Sequence, residues 1–217
     1  MDLLIFIFMA CVIIMMGVAL RGLFLRGLER QRDTWATFAE QLDLTFVRDQ
    51  GLTGHVGHIE GVYNGHRVRI VHVSGVVLCE VAYTVELGLG LAVSQRATLN
   101  LHLPHHIRTG DPTFEQRFIV SGKQRDAVLA LLTLPVRERM VHLDRVLKKH
   151  RGMLGELTLN DERIHVNIHT NRCNMTALRT LLTAQQELAT VIMQSKGHMA
   201  TMQSHPESAD VHVAQVP

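Results

Sequence analysis

Residues 3–20 are hydrophobic without a single charged side chain, and this run precedes every other pattern in the chain. At about 1.5 Å per helical residue, such a run nearly spans a hydrocarbon core of roughly 30 Å. Lipid offers no partners to backbone N–H and C=O groups, so the run is predicted to be a transmembrane helix. The alternatives are a helix buried in a soluble core, a cleaved signal peptide and lipoprotein processing at Cys11.

Four arginines follow the apolar run and set its predicted orientation: Arg21, Arg26, Arg30 and Arg32. Cytoplasmic flanks of transmembrane helices carry an excess of Lys and Arg. We therefore predict a single-pass protein of the plasma (inner) membrane, held by a signal anchor, with the N-terminus outside and the C-terminal domain in the cytoplasm. A signal peptide would instead carry its positive charge before the apolar run.

Three parts are predicted along the chain. Residues 1–28 form the transmembrane anchor with its basic flank, residues 29–196 a cytoplasmic domain, and residues 197–217 a disordered tail without apolar periodicity. The domain begins with a helix over residues 29–42, because Trp35 and Phe38 start an apolar face at helical spacing. This helix is predicted to dock on the domain core, and the alternative is an amphipathic helix lying on the membrane surface.

Period-2 alternation dominates the first half of the domain, and helical periodicity enters in the second half. Single strands are predicted over residues 42–47, 76–87, 97–103 and 118–120, and hairpins over residues 57–73 and 157–168, the second of them turning at Asn160-Asp161. Helices are predicted over residues 123–132, 135–150 and 174–195. Strands that come first and then mix with helices favour an α+β fold. We predict a largely antiparallel sheet packed with helices.

The first hairpin is predicted at Asn64-Gly65, because a type I′ turn needs a positive φ at both central residues. Counting back from this turn places Glu60 opposite Arg69 as a cross-strand ion pair. Along residues 76–87, alternation places Val85 on the inward face.

Composition limits the classes of partner. Lys and Arg together number 22 and Asp and Glu 20, for a formal net charge of +2, so no nucleic-acid partner is predicted. The three cysteines do not form a disulfide framework. Cys11 lies in the apolar run, Cys79 in a predicted inward strand face and Cys173 in a loop, which suits a reducing compartment.

Residues 111–120 read Asp-Pro-Thr-Phe-Glu-Gln-Arg-Phe-Ile-Val. This segment resembles the D-x-x-F-[D/E]-x-x-F-x-V signature of an uncharacterised family of bacterial membrane-anchored proteins, a domain of unknown function. The resemblance implies a membrane anchor with a cytoplasmic α+β domain and no assigned activity. The motif, with Asp111, Phe114, Glu115 and Phe118 at its fixed positions, is predicted to be structural. The two phenylalanines anchor the loop to the core, and Asp111 bonds the backbone of its own turn.

Histidine supplies the candidate chemistry, since the chain has 14 histidines. Zinc needs about three converging protein ligands. The best local set is His102, His106 and Asp111, but their spacing matches no established ligand pattern, and the histidines are predicted to be polar residues on solvated surfaces. A dyad of Cys173 with His169 is a weaker alternative. No cofactor or metal is predicted.

These patterns favour a membrane-tethered cytoplasmic protein-binding or scaffold module without catalytic activity. Its expected partners are the lipid bilayer and a further protein. The alternative is a metal-dependent hydrolase-like enzyme that uses the histidine cluster. A second alternative is a sensor of anionic lipid surfaces that uses the four flanking arginines together with Trp35.

Overall fold

The computed structural model describes residues 2–49, 56–73, 75–96, 106–149, 154–169 and 174–204. Its first element is one continuous helix, α1 (Asp2–Glu40). The predicted anchor and the predicted helix over residues 29–42 are therefore parts of one element, and the boundary drawn after residue 28 falls inside it. No proline interrupts the stretch between them, and isolated glycines are tolerated in a helix at a cost of about 1 kcal/mol each.

The described residues contain eight strands, which form one antiparallel sheet with the order β1-β2-β3-β4-β8-β7-β5-β6. The strands are β1 (Thr45–Val47), β2 (Gly57–Tyr63), β3 (His66–Val73), β4 (Val76–Ala82), β5 (Ala92–Gln95), β6 (Phe118–Ser121), β7 (Leu154–Asn160) and β8 (Arg163–His169). The remaining helices are α2 (Pro112–Glu115), α3 (Arg125–Leu131), α4 (Leu134–Lys149) and α5 (Met175–Ser204). The predicted α+β class, with a long apolar N-terminal helix and an antiparallel sheet, is confirmed.

The hairpin between β2 and β3 turns where the sequence predicts it. Asn64 and Gly65 have φ angles of 49° and 81°. The predicted register is confirmed, with Glu60 opposite Arg69. The second predicted hairpin is confirmed as well, since β7 pairs with β8 around the turn at Asp161.

Helices α4 and α5 cover one face of this sheet. Gln185 of α5 is fully buried, and its Nε2 donates to the carbonyl of Cys79 in β4 at 3.1 Å. A Cβ on Gly155 would meet Cδ2 of Leu147 at 2.7 Å, so only glycine lets the last turn of α4 lie this close to the start of β7. The apolar stripe of α5, which includes Leu178, Leu181, Leu182 and Leu188, is buried in the core that results.

The C-terminal part of α1 docks on the same face, beside β1 and β2. Trp35 is fully buried, and its ring centroid lies 5.7 Å from that of His72. Nearer the apolar run, the Glu29 carboxylate lies 2.6 Å from Nη2 of Arg48, which follows β1. The prediction that this segment docks on the domain core is confirmed.

The strand predicted over residues 76–87 is too long, and Val85 does not face inward as predicted, although Tyr83 and Leu87 are buried. β4 ends at Ala82, and Val85 is 56% exposed instead of facing inward. Beyond Ala82 the chain leaves the ladder and bonds the hairpin turn, where Leu87 N–H donates to the carbonyl of Asp161 at 2.8 Å. This path leads into β5, which sequence alternation missed because β5 is only four residues long.

Helix α5 extends beyond its predicted end at Ser195 and passes through Gly197. A mid-helix glycine costs only about 1 kcal/mol, and Met199 packs against the core in the added turns. The strand predicted over residues 97–103 lies outside the described residues.

Candidate functional site

The sheet carries helices on one face, and its opposite face is open in the part of the chain that the structure describes. Because successive side chains point to opposite faces, one row of residues crosses the open face. The strand registers align Glu60, Arg69, Glu80, His165 and Thr158 in this row. The row is polar, whereas the opposite face forms the core.

A groove of about 640 Å³ lies on this face across β1 to β4 and the start of β8. Its charged lining residues are Glu60, Arg67, Arg69, Glu80 and Arg163. Ala82 lies between Arg67 and Arg163 in the strand register, and its small side chain leaves space between the two longer ones. We call this concavity the arginine groove.

Glu80 is the best-fixed charge of the arginine groove, because it is only 9% exposed. Its Oε1 lies 3.1 Å from Nδ1 of His165 and 3.7 Å from Nη1 of Arg163. Burial lowers the pKa of His165 from 6.5, although the Glu80 carboxylate acts in the opposite direction. Burial thus makes the His165 ring harder to protonate, even though the ring lies beside a carboxylate.

Glu80 and His165 form an acid–imidazole pair on the open face. Nucleophilic catalysis would also need a hydroxyl or thiol within hydrogen-bond reach of the base. Two described hydroxyl side chains share this face, Thr45 in the lining of the groove and Thr158 opposite His165 in the register, and neither is hydrogen-bonded to His165.

Arg67 and Arg69 are the available charges of the groove. Both are exposed, and neither forms an ion pair or a hydrogen bond with any described residue. Arg69 lies opposite both Glu60 and Glu80 in the register, so the predicted register is right but the predicted ion pair with Glu60 does not form. Guanidinium groups bind carboxylates or phosphates through two parallel hydrogen bonds, and these two are free to do so.

The predicted metal set is only partly described, since His102 lies outside the described residues. His106 is half-buried and forms an isolated bridge to Ser121 beside the sheet edge. Its Nε2 is buried without a hydrogen-bond partner. Within the described ranges no group of three His, Cys, Asp or Glu residues has the geometry to hold a metal ion.

Asp111 acts as the N-cap of α2. Its Oδ1 accepts from the N–H groups of Thr113 and Phe114 at 3.0 and 3.1 Å. Its Oδ2 lies 3.6 Å from Nε of Arg137. The predicted bond from Asp111 to its own turn is confirmed.

The two motif phenylalanines share one buried contact. Phe114 and Phe118 are at most 1% exposed, and their ring centroids lie 4.9 Å apart. The predicted anchoring of this loop to the core is confirmed. Because Phe118 is the first residue of β6, this contact packs α2 against that strand.

The Glu115 side chain accepts hydrogen bonds from the backbone of the loop that precedes α2. Its Oε1 accepts from the N–H groups of Thr109 and Gly110 at 2.7 and 2.8 Å. Partial burial acts to raise the pKa of Glu115, but the hydrogen bonds from Gly110 and Thr109 and the charge of Arg108 outweigh it and lower the pKa below 4.5. The folded protein therefore stabilises the ionised Glu115 carboxylate relative to its protonated form.

Replacement of Glu115 by Gln is expected to cost about 1 kcal/mol at pH 7, a low value because the side chain is partly open to solvent. Since the folded pKa is depressed, the wild-type stabilisation is present above pH 4.5 and disappears as the pH falls through the folded pKa. Urea unfolding of both proteins across this pH range measures the difference. A difference that stays constant at acid pH would contradict an ionic origin.

The four arginines of the flank differ in their surroundings. Arg21, Arg26 and Arg30 have exposed side chains on α1. Arg32 instead donates to Oε1 of Glu29 and to the carbonyl of Asp49, each at 3.1 Å. Arg32 thus contributes to docking of the helix, and the buried Trp35 does not face lipid.

Comparison with known proteins identifies a shared fold. No protein-family model matches the chain. No curated protein matches it either. The crystal structure of the mycobacterial trehalose monomycolate transport factor A, TtfA, aligns with a TM-score of 0.52. The match covers 77% of this chain and 95% of that chain at 12% sequence identity, which shows similarity of fold alone.

Sequence reasoning did not identify the arginine groove. The relevant signal was the placement of Arg67, Arg69 and Arg163 at alternate strand positions, all on one side of the sheet. This pattern is also that of an ordinary solvated strand face. Only the strand order, which puts β8 beside β4, brings Arg163 to the other two.

Proposed function

We propose that this chain is a membrane-tethered protein-binding module without catalytic activity, and that its partner binds the open face of the sheet at the arginine groove. The observation that carries this proposal is the pair of exposed, unpaired guanidinium groups of Arg67 and Arg69 in a groove of about 640 Å³. Their charge is complementary to an acidic segment of a partner protein. Electrostatic complementarity of this kind determines the choice of partner and the rate of association.

The tether in this proposal is α1. Within the described residues it is the one helix long and apolar enough to cross a membrane, and none of that apolar stretch is buried in the protein. Its exposed side chains include Phe8, Ile14 and Phe24, at 69%, 65% and 62%. A soluble helix would hide such a surface. The basic flank supports a cytoplasmic location for the sheet domain.

Two further observations support a binding role. The structural neighbour is named as a transport factor for trehalose monomycolate, which is a role in a membrane-associated process and not the name of an enzyme. The signature at residues 111–120 resembles that of uncharacterised membrane-anchored proteins, and its side chains are occupied by capping and packing. We extend a non-catalytic, membrane-associated role to this chain as part of the proposal.

The double substitution Arg67→Glu/Arg69→Glu is expected to reduce recovery of the partner at least about tenfold, because two contacts of roughly 1 kcal/mol each become repulsive. The measurement is affinity purification of the full-length protein from detergent-solubilised membranes, followed by quantitative mass spectrometry. The same proteins recovered with wild type and lost with the variant are the partners of this face.

The matched control is Lys123→Glu/Arg125→Glu, which reverses two exposed charges beside α3. This control should recover the partner as well as wild type does. Equal loss in both doubles would indicate a general charge effect. Unchanged recovery in the groove variant would refute binding at this face.

A further inference from the structure

We propose that a second surface of the domain, formed by the last two turns of α4 together with the basic flank of α1, rests on the headgroups of anionic lipids. We call it the basic edge and define it by Arg26, Arg30, Arg145 and Lys149. All four side chains are exposed, and none has an ion pair or hydrogen bond with a described residue. This inference rests on the proposed membrane anchor.

The position of α1 brings one end of the sheet to the bilayer. Glu29 contacts Arg48, and Arg32 bonds the carbonyl of Asp49, so the helix passes the end of β1 at this level. The exposed apolar surface of α1 continues past Arg21 through Leu23, Phe24 and Leu25. Leu25 lies only four residues before Glu29, which is about 6 Å along a helix. The end of β1 therefore lies within a Debye length, about 8 Å, of the level where this exposed apolar surface ends.

The strand pairing shows that the end of β1 and the last turn of α4 lie at the same end of the sheet. The end of β1 is beside the start of β2, which is beside the end of β3. From there the paired residues are Val73–Val76, Val76–His169 and His169–Leu154, and the last of these lies at the start of β7. Leu147 packs on Gly155, so the last turn of α4 lies over the start of β7. Lys149 thus lies at the membrane side of the domain.

Two acids near the basic edge are already paired with cations. The buried carboxylate of Asp144 contacts Arg117 and Lys148, and Glu29 contacts Arg48. These two acids are therefore not available to pair with the four side chains of the basic edge, which can attract an anionic surface.

This edge differs from the lipid surface predicted from the sequence alone. That surface required Trp35 and Arg32, which the fold uses to dock α1. Arg145 and Lys149 replace them, and they are one helical turn apart on the same side of α4. Contact at this edge would fix the domain against the bilayer and leave the arginine groove on the sheet face accessible.

The test uses the full-length protein in nanodiscs of phosphatidylcholine and in nanodiscs enriched in phosphatidylglycerol. Acetylation of Lys149 is compared with that of Lys123, which is exposed and lies by β5 at the far end. In phosphatidylglycerol at low salt the Lys149 rate is expected to fall about threefold relative to Lys123, and to recover at high salt. An equal ratio in the two lipids would overturn the proposal.

Variants separate lipid contact from other causes. Arg145→Glu should restore acetylation of Lys149 in phosphatidylglycerol, whereas Arg125→Glu should leave the protection intact. Protection that survives Arg145→Glu would also overturn the proposal. Co-elution with nanodiscs reports on the anchor separately: protein that fails to co-elute refutes the anchor and this edge together, and protein that co-elutes with an unchanged ratio refutes this edge alone.

Discussion

Replacing Trp35 with alanine is expected to lower the free energy of unfolding of the domain by about 3–5 kcal/mol. Trp35 is completely buried where α1 docks, so its removal deletes the largest side chain of that contact and leaves a cavity against His72. Urea unfolding of the full-length protein in detergent, followed by far-ultraviolet circular dichroism, measures the loss. Fluorescence is unsuitable because Trp35 is the single tryptophan of the chain.

Phe24→Ala is the matched control for this substitution. Phe24 is another aromatic residue of α1 but is 62% exposed, before the docked part of the helix. Its replacement should change the unfolding of the domain by no more than about 0.5 kcal/mol. A Trp35→Ala loss of less than about 1 kcal/mol would contradict docking of the C-terminal part of α1 on the domain core.

Asp144→Ala is expected to cost about 2–3 kcal/mol. The carboxylate is fully buried and accepts from Nε2 of Gln95 and Nη1 of Arg117, both at 2.7 Å, and from Nζ of Lys148 at 2.9 Å. Its removal leaves the three donors without their acceptor. The expected cost stays below that of a fully buried pair because both cations are partly exposed. Chemical unfolding provides the measurement.

Two companion variants identify the source of this effect. Asp144→Asn keeps the volume but removes the charge, so it should cost less than Asp144→Ala if packing contributes. Glu138→Ala changes an exposed acid of the same helix and should be nearly neutral. Equal values for Glu138→Ala and Asp144→Ala would exclude a role for the buried carboxylate.

The sequence predicted correctly those elements whose conformation depends on residues that are close together in the chain. Asn64-Gly65 specified its turn because few other residue pairs tolerate a positive φ at both positions. The position of the turn in turn determined the register of β2 with β3. The apolar stripe of α5 specified a buried helix face. The motif at Asp111 to Phe118 was correctly interpreted as a cap and a packing contact.

Errors arose where distant contacts override local preference. Val85 continues an alternating pattern, but backbone bonds to the β7–β8 turn remove its segment from the ladder. The short strand β5 exists because β6 and β7 flank it, and four residues carry too weak a periodicity to predict it. The last helix is predicted to end at Ser195, yet packing of Met199 on the core accompanies its continuation to Ser204.

The sequence by itself determined that a long apolar helix precedes an antiparallel α+β domain, because hydrophobic length and periodicity depend only on neighbouring residues. It also indicated a basic flank and no convergent catalytic motif. Only the tertiary structure decided which charges meet. Strand order joins Arg163 to Arg67 and Arg69, and the docking of α1 buries Trp35. These are contacts between residues far apart in the chain, and no local pattern encodes their distance.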